Sequence, residues 1–195
     1  MGLSRSPRST CRAASLRAST APGSPTRTDR TADHRRPPPT TANRSDRGDT
    51  VKDIDRTAPV VVELETQVHA TPATLWRLHT DVDNWPTWNP GIDKAALRGD
   101  FAEGSRFDWE TSGLSIGSTI AEVVPLRRTV WGGPAHGIEG IHVWTFSPTE
   151  DGTRVISQES WSGPPIEANP DGMRAALEAS IHAWLDALKA AAEQV

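Results

Sequence analysis

The chain has 195 residues, enough for one ordinary domain and a surplus. Its single cysteine, Cys11, excludes an intrachain disulfide framework and a cysteine-based zinc site, and no apolar run reaches the length of a membrane-spanning helix. The net charge of −4 hides an asymmetry: the first 56 residues are net basic and the rest net acidic, which argues against nucleic acid as the domain's partner, because phosphate binding needs clustered cations.

Residues 1–58 read as a disordered basic tail, dense in Arg, Ser, Thr and Pro, with a Pro37-Pro38-Pro39 run. All eight Trp and all three Phe lie from Trp76 onward. The tail therefore cannot bury enough apolar surface to offset the entropy of ordering it, and the fold is expected over residues 59–195. The N-terminus lacks the apolar stretch of a secretory signal. It is Arg- and Ser-rich as transit peptides are, but carries Asp29 and Asp33. A translation start further along the chain is a second reading. A cytoplasmic location is expected.

Val60 to Val68 is β-branched and then alternating, which predicts a strand. Thr71-Pro72 follows as an N-cap and a proline at the first helical position, opening a short helix through Leu75, Trp76 and Leu78. His79 closes that helix, where it suits the negative end of the dipole. Asp83 to Gly91 holds two prolines and a glycine, so a helical turn between loops is expected. From Ile92 to Gly163 strands alternate with turns: Phe107-Trp109-Thr111, Ile116-Ser118-Ile120 up to Pro125, Thr129 to Trp131, Ile138 to Phe146 and Thr153 to Trp161. Gly132-Gly133-Pro134 and Asp151-Gly152 are the expected turns. Asn169-Pro170-Asp171 then caps a long helix with Met173, Leu177, Ile181, Trp184 and Leu188 on one face.

The order is β, α, short α, several antiparallel β, long α. Three stretches carry a resemblance: Asp81 to Pro90, Gly152 to Val155 with Glu159 to Gly163, and the terminal Trp184 to Lys189. Together they resemble the START-like helix-grip superfamily (SRPBCC), in its polyketide cyclase/dehydrase branch, over about residues 59–195. The resemblance implies an α+β helix-grip fold: a curved antiparallel sheet wrapped around a long C-terminal helix. It also implies an internal cavity for a hydrophobic polyketide-, aromatic- or lipid-like molecule. The superfamily holds cyclases, carriers and co-chaperone-like proteins, so an enzyme and a protein-interaction domain stand beside the binding module.

Alternation places Val155, Ser157, Glu159 and Trp161 on one strand face, and Gly140, His142, Trp144 and Phe146 on a face of the preceding strand. If both faces are inward, the hairpin sets His142 opposite or diagonal to Glu159. The pair would lie in a cavity walled by Phe107, Trp109, Ile120, Trp131, Trp144, Trp161 and the apolar face of the long helix, Leu177 and Ile181 included, with Ser118 and Ser157 nearby. A carboxylate beside an imidazole is expected to raise its basicity, and the dyad could remove a proton next to a carbonyl. The alternative is that the pair only orients a ligand. His136 is a candidate loop contact at the mouth. Trp85 and Trp88 either plug the end of the barrel or form a lid. With no Tyr and only Lys52, Lys94 and Lys189, Schiff-base and tyrosine-acid mechanisms are not expected. No His spacing suggests a metal and no glycine motif suggests a nucleotide, so no cofactor is expected.

Overall fold

A computed structural model of the chain describes residues 52–194. The expected tail through residue 51 lies outside the described residues. The β-branched N-terminal run forms β1 (Val60–Val68). α1 (Pro72–Thr80) follows, and the Thr71 hydroxyl accepts the Thr74 N–H at 3.2 Å, so the cap read from Thr71-Pro72 is present. A 3-10 turn (Val82–Asn84) and α2 (Trp85–Trp88) occupy the proline-bounded stretch.

Six strands come next: β2 (Lys94–Arg98), β3 (Arg106–Thr111), β4 (Leu114–Val124), β5 (Arg128–Ala135), β6 (Ile138–Thr149) and β7 (Gly152–Ser162). With β1 they make one antiparallel sheet in the order β1-β7-β6-β5-β4-β3-β2. A one-turn α3 (Pro164–Ala168) leads to α4 (Pro170–Ala192), whose N-cap Asn169 accepts the Gly172 N–H at 3.2 Å. α4 packs on β1 and α1. Its buried face is Leu177, Ile181, Trp184, Leu185 and Leu188, with Met173 half-buried.

The turns differ from the sequence reading at one place. Gly132-Gly133-Pro134 lies inside β5, and the chain reverses at His136-Gly137. Both of those residues have positive φ, 53° and 81°, as a two-residue hairpin of this hand requires. The glycines serve close approach instead: a Cβ on Gly132 would lie 2.1 Å from the Gly140 carbonyl oxygen. The β6–β7 hairpin also has a two-residue loop, with Thr149 paired to Gly152.

Alternation divides the apolar residues between the two faces of the sheet. The concave face and α4 enclose the main core, including Trp85, Phe107, Trp144, Phe146 and Leu177. The convex face carries a smaller cluster of Ala121, Val130 and Val143, and Ile54 covers it. The Asp55 N–H donates to Ser160 Oγ at 3.0 Å, and the Arg128 guanidinium donates to the Lys52 carbonyl at 2.9 Å. Packing therefore begins upstream of residue 59, because those outward valines need an apolar cover.

His79 corrects a second expectation. It sits at the core-facing side of α1, 1% exposed, against Trp144 and Phe146. Its Nε2 lies 2.9 Å from Thr129 Oγ1. Burial disfavours the charged ring and lowers its pKa to about 3, so it is a neutral core residue and not a partner for the helix dipole.

Candidate functional site

Part of the concave face is left unfilled. A cavity of about 320 Å³ lies under α4, lined by Trp109, Trp131, Trp161 and Trp184, the aliphatic Leu114, Ile116, Ile138, Met173 and Ile181, and the polar pair His142 and Glu159. A smaller lobe of about 120 Å³ shares much of this wall and extends past Ser118, Gly132, Gly140 and His136. Leu114, 46% exposed on the β3–β4 hairpin, marks the outer end of the lining. A larger open groove of about 620 Å³ runs along β2–β4, but its walls include the exposed Lys94 and Asp108 and the half-buried Glu110, and it encloses little.

The short β6–β7 loop fixes the register of the polar pair. His142 stands directly opposite Glu159, with Nδ1 3.3 Å from Glu159 Oε2. His142 Nε2 lies 2.7 Å from Ser157 Oγ. The other carboxyl oxygen, Oε1, accepts the Trp161 indole N–H at 2.7 Å. Both side chains are largely removed from water, at 6% exposed for His142 and 15% for Glu159.

Electrostatics here run against the simple expectation. Burial lowers the His142 pKa well below its ordinary value, and the neighbouring His79 acts in the same direction. Burial pushes Glu159 up to about 7, partly opposed by the Trp161 hydrogen bond. Desolvation penalises each charged form, and Glu159 is largely uncharged over the range in which it would have raised the basicity of His142. The pair then has two consistent arrangements. With Glu159 protonated, its O–H donates to His142 Nδ1 and His142 Nε2–H donates to Ser157. With Glu159 ionised, Nδ1–H donates to the carboxylate and Ser157 O–H donates to Nε2. The imidazole stays neutral in both and changes tautomer as Glu159 loses its proton.

The remaining candidates divide cleanly. Trp109, Ser118, Trp131, His136, Trp161 and Ile181 border the cavity. Ser118 does not join the dyad; its Oγ accepts the Trp109 indole N–H at 3.1 Å. Trp131 buries its own indole N–H without a partner. His136 Nε2 lies 3.0 Å from the Ser115 carbonyl, bracing the β5–β6 turn. Phe107, Ile120, Trp144 and Leu177 do not border the cavity; they are fully buried in the packed core. Ser157 is likewise hidden and reaches the cavity only through His142. Trp85 does not border the cavity: it is 0% exposed, packs on Phe107 and Trp184, and donates to the His79 carbonyl at 3.0 Å. Trp88 is half-buried against the core, away from the cavity.

Sequence reasoning missed Leu114, Ile116, Ile138 and Ser180 as cavity residues, and reached Trp184 and Met173 only through the helix face that walls the cavity. The period-two run from Leu114 carried a signal for the first two, since it puts them on the same face as Ser118.

The family described as "Polyketide cyclase / dehydrase and lipid transport" matches residues 59–193. No curated protein sequence matches the chain. Among solved structures, an aromatase/cyclase from Streptomyces sp. R1128 is similar at 17% identity and a TM-score of 0.60, over 69% of this chain and 93% of that one. A START superfamily protein from Mycobacterium smegmatis is similar at 12% identity and a TM-score of 0.58, over 69% and 97%. A hypothetical protein from Helicobacter pylori is similar at 22% identity and a TM-score of 0.58, over 68% and 86%. At these identities the structures speak for the fold, a curved antiparallel sheet gripping a long C-terminal helix. No helix among the described residues is long and apolar enough to cross a membrane. The family match covers most of the chain and coincides with that fold, and the chain belongs to the polyketide cyclase/dehydrase and lipid transport family.

Proposed function

We propose that the protein binds a hydrophobic small molecule, polyketide-, aromatic- or lipid-like, between the sheet and α4, with one polar group of that molecule at Glu159 and His142. The observation that carries this reading is the unfilled space of about 320 Å³ walled by four tryptophans and holding a single carboxyl group. Ligand sites are typically concave, mostly apolar and equipped with a few convergent polar groups. The family match supports the same reading. Intrinsic tryptophan fluorescence of the full chain, titrated with aromatic polyketides, quinones and long-chain alcohols, tests it. Saturable quenching by one class is expected, and no response from folded protein to any of them would sink it.

A second reading has an observation of its own. A carboxyl titrating near 7 beside an imidazole suits proton transfer at neutral pH, as cyclisation or dehydration next to a carbonyl requires. In that reading Glu159 is the base, His142 its tautomeric partner and Ser157 the anchor of the imidazole. Turnover undiminished in a His142→Ala, Glu159→Gln double variant would end it. The interaction-domain reading has less support. Ile54 covers the convex apolar cluster, and the exposed large apolar residues among those described are only Leu114, Val124 and Leu126.

A further inference from the structure

The charge inventory of the cavity wall is one-sided. Among the described residues that line either lobe there is no Lys or Arg, and Glu159 is the single acid. The titratable groups that face it are His142, across the β6–β7 pair, and His136 at the β5–β6 turn. On the other side of β7 its partner is Val62. α4 presents Met173, Ala176, Ser180, Ile181 and Trp184, none of them charged. The cations of α4 are committed elsewhere: Arg174 donates to the carbonyls of Val61 and Pro59, and Lys189 to that of Gln67.

We propose that the cavity sorts ligands by charge, taking uncharged and amine-bearing apolar molecules in preference to carboxylates, and that Glu159 is the side chain that sets this order. The inference rests on the binding reading above and names its ligand class. A ligand carboxylate entering this space loses its water and meets no cation. It meets instead a carboxyl whose Oε1 is already held by Trp161. Two carboxyl groups sharing one dry site cannot both ionise, so one must bind a proton at a cost to affinity. An alcohol or ketone escapes this penalty: it brings no charge to desolvate, and an alcohol can donate to a remaining lone pair of Glu159 in either protonation state. An ammonium gains a counter-charge at Glu159 and the faces of the surrounding indoles. The tryptophans supply apolar area to all three ligand types alike, so they do not rank them.

The test uses the full-length protein and three probes with one apolar body: 2-naphthylethanol, 2-naphthylethylamine and 2-naphthylacetate, titrated calorimetrically at about pH 7.5. The alcohol and the amine are expected to bind, with the acetate at least about tenfold weaker than the alcohol. In Glu159→Gln, which keeps an acceptor for the Trp161 N–H, the acetate should move to within about threefold of the alcohol and the amine should weaken. Acetate binding as tight as alcohol binding, or a ratio unchanged in Glu159→Gln, overturns the charge-sorting role and leaves the binding reading standing. Failure of all three probes overturns both. Should the variant not fold, wild-type protein at about pH 5.5 and about pH 8 gives the same comparison, because the probes keep their charges across that range. The acetate-to-alcohol ratio should then widen several-fold at the higher pH, and a constant ratio overturns the proposal.

Discussion

Trp85 and Trp131 both lie under the sheet, their ring centroids 6.1 Å apart, yet they belong to ends of the interior that differ in kind. At the Trp85 end the side chains are packed together. Trp85, His79, Trp144, Phe146 and Leu75 are each 1% exposed or less. The polar atoms there are paired only in part: Trp85 donates to the His79 carbonyl and His79 pairs with Thr129, while the Trp144 indole N–H is buried without a partner. At the Trp131 end the aromatic rings stand around a void, and a carboxyl sits where no cation can answer it. The difference teaches that aromatic content does not distinguish a core from a site. A core fills its volume and a site leaves part of it open; an unpartnered indole N–H occurs at both ends, on Trp144 and on Trp131, and marks neither.

Several substitutions would sharpen or break this contrast. The largest effect is expected from Trp85→Ala, which opens a cavity in the filled end and should cost about 3–5 kcal/mol in urea unfolding. A loss below about 1 kcal/mol would mean that the end is not packed as described. Next comes the acid limb. The folded pKa of His79, about 3, lies below its ordinary value of 6.5, so the folded state binds fewer protons. Its contribution is complete above about pH 6.5 and is lost as pH falls toward 3, on the order of 4 kcal/mol from this one ring. His142, also lowered, adds to the same limb. A His79→Gln variant should show a visibly shallower decline in stability between about pH 6 and 4; an identical decline would remove His79 from the account.

The open end has the opposite sign. The folded pKa of Glu159, about 7, lies above its ordinary 4.5, so the folded state binds more protons. Its contribution is complete below about pH 4.5 and is lost as pH rises through 7. Glu159→Gln should therefore stabilise the protein by about 2–3 kcal/mol at pH 8 and change little at pH 4.5, read from thermal or urea unfolding at both. Equal effects at the two pH values would contradict a buried, proton-sharing carboxyl. The smallest effect is expected at Gly140. A Cβ there meets Trp161 at 3.5 Å and Glu159 at 3.7 Å, ordinary contacts at the edge of the void. Gly140→Ala should change stability by less than about 1 kcal/mol while weakening ligand quenching of tryptophan fluorescence. The same change at Gly132, where a Cβ would strike the Gly140 carbonyl, should instead destabilise the sheet.

The amino-acid sequence by itself determined the elements and their faces. Thr71-Pro72 and Asn169-Pro170 capped the helices they announce, since a cap is a local hydrogen bond between near neighbours. Period-two runs put His142 and Glu159 on one surface, because side-chain direction in a strand follows from covalent geometry alone. What only the tertiary structure decided was which inward side chains touch each other and which touch space. Phe107 and Trp109 are two residues apart on the same face of β3, yet the first is sealed beneath Trp85 and the second lines the cavity. His79 stood in the last turn of a helix, and no local pattern shows that Trp144 and Phe146 close over it from β6. The sign of the electrostatics at Glu159 was equally hidden. A neighbouring imidazole is visible from strand register, but desolvation depends on how many other chain segments exclude water, and that is a property of the packed whole.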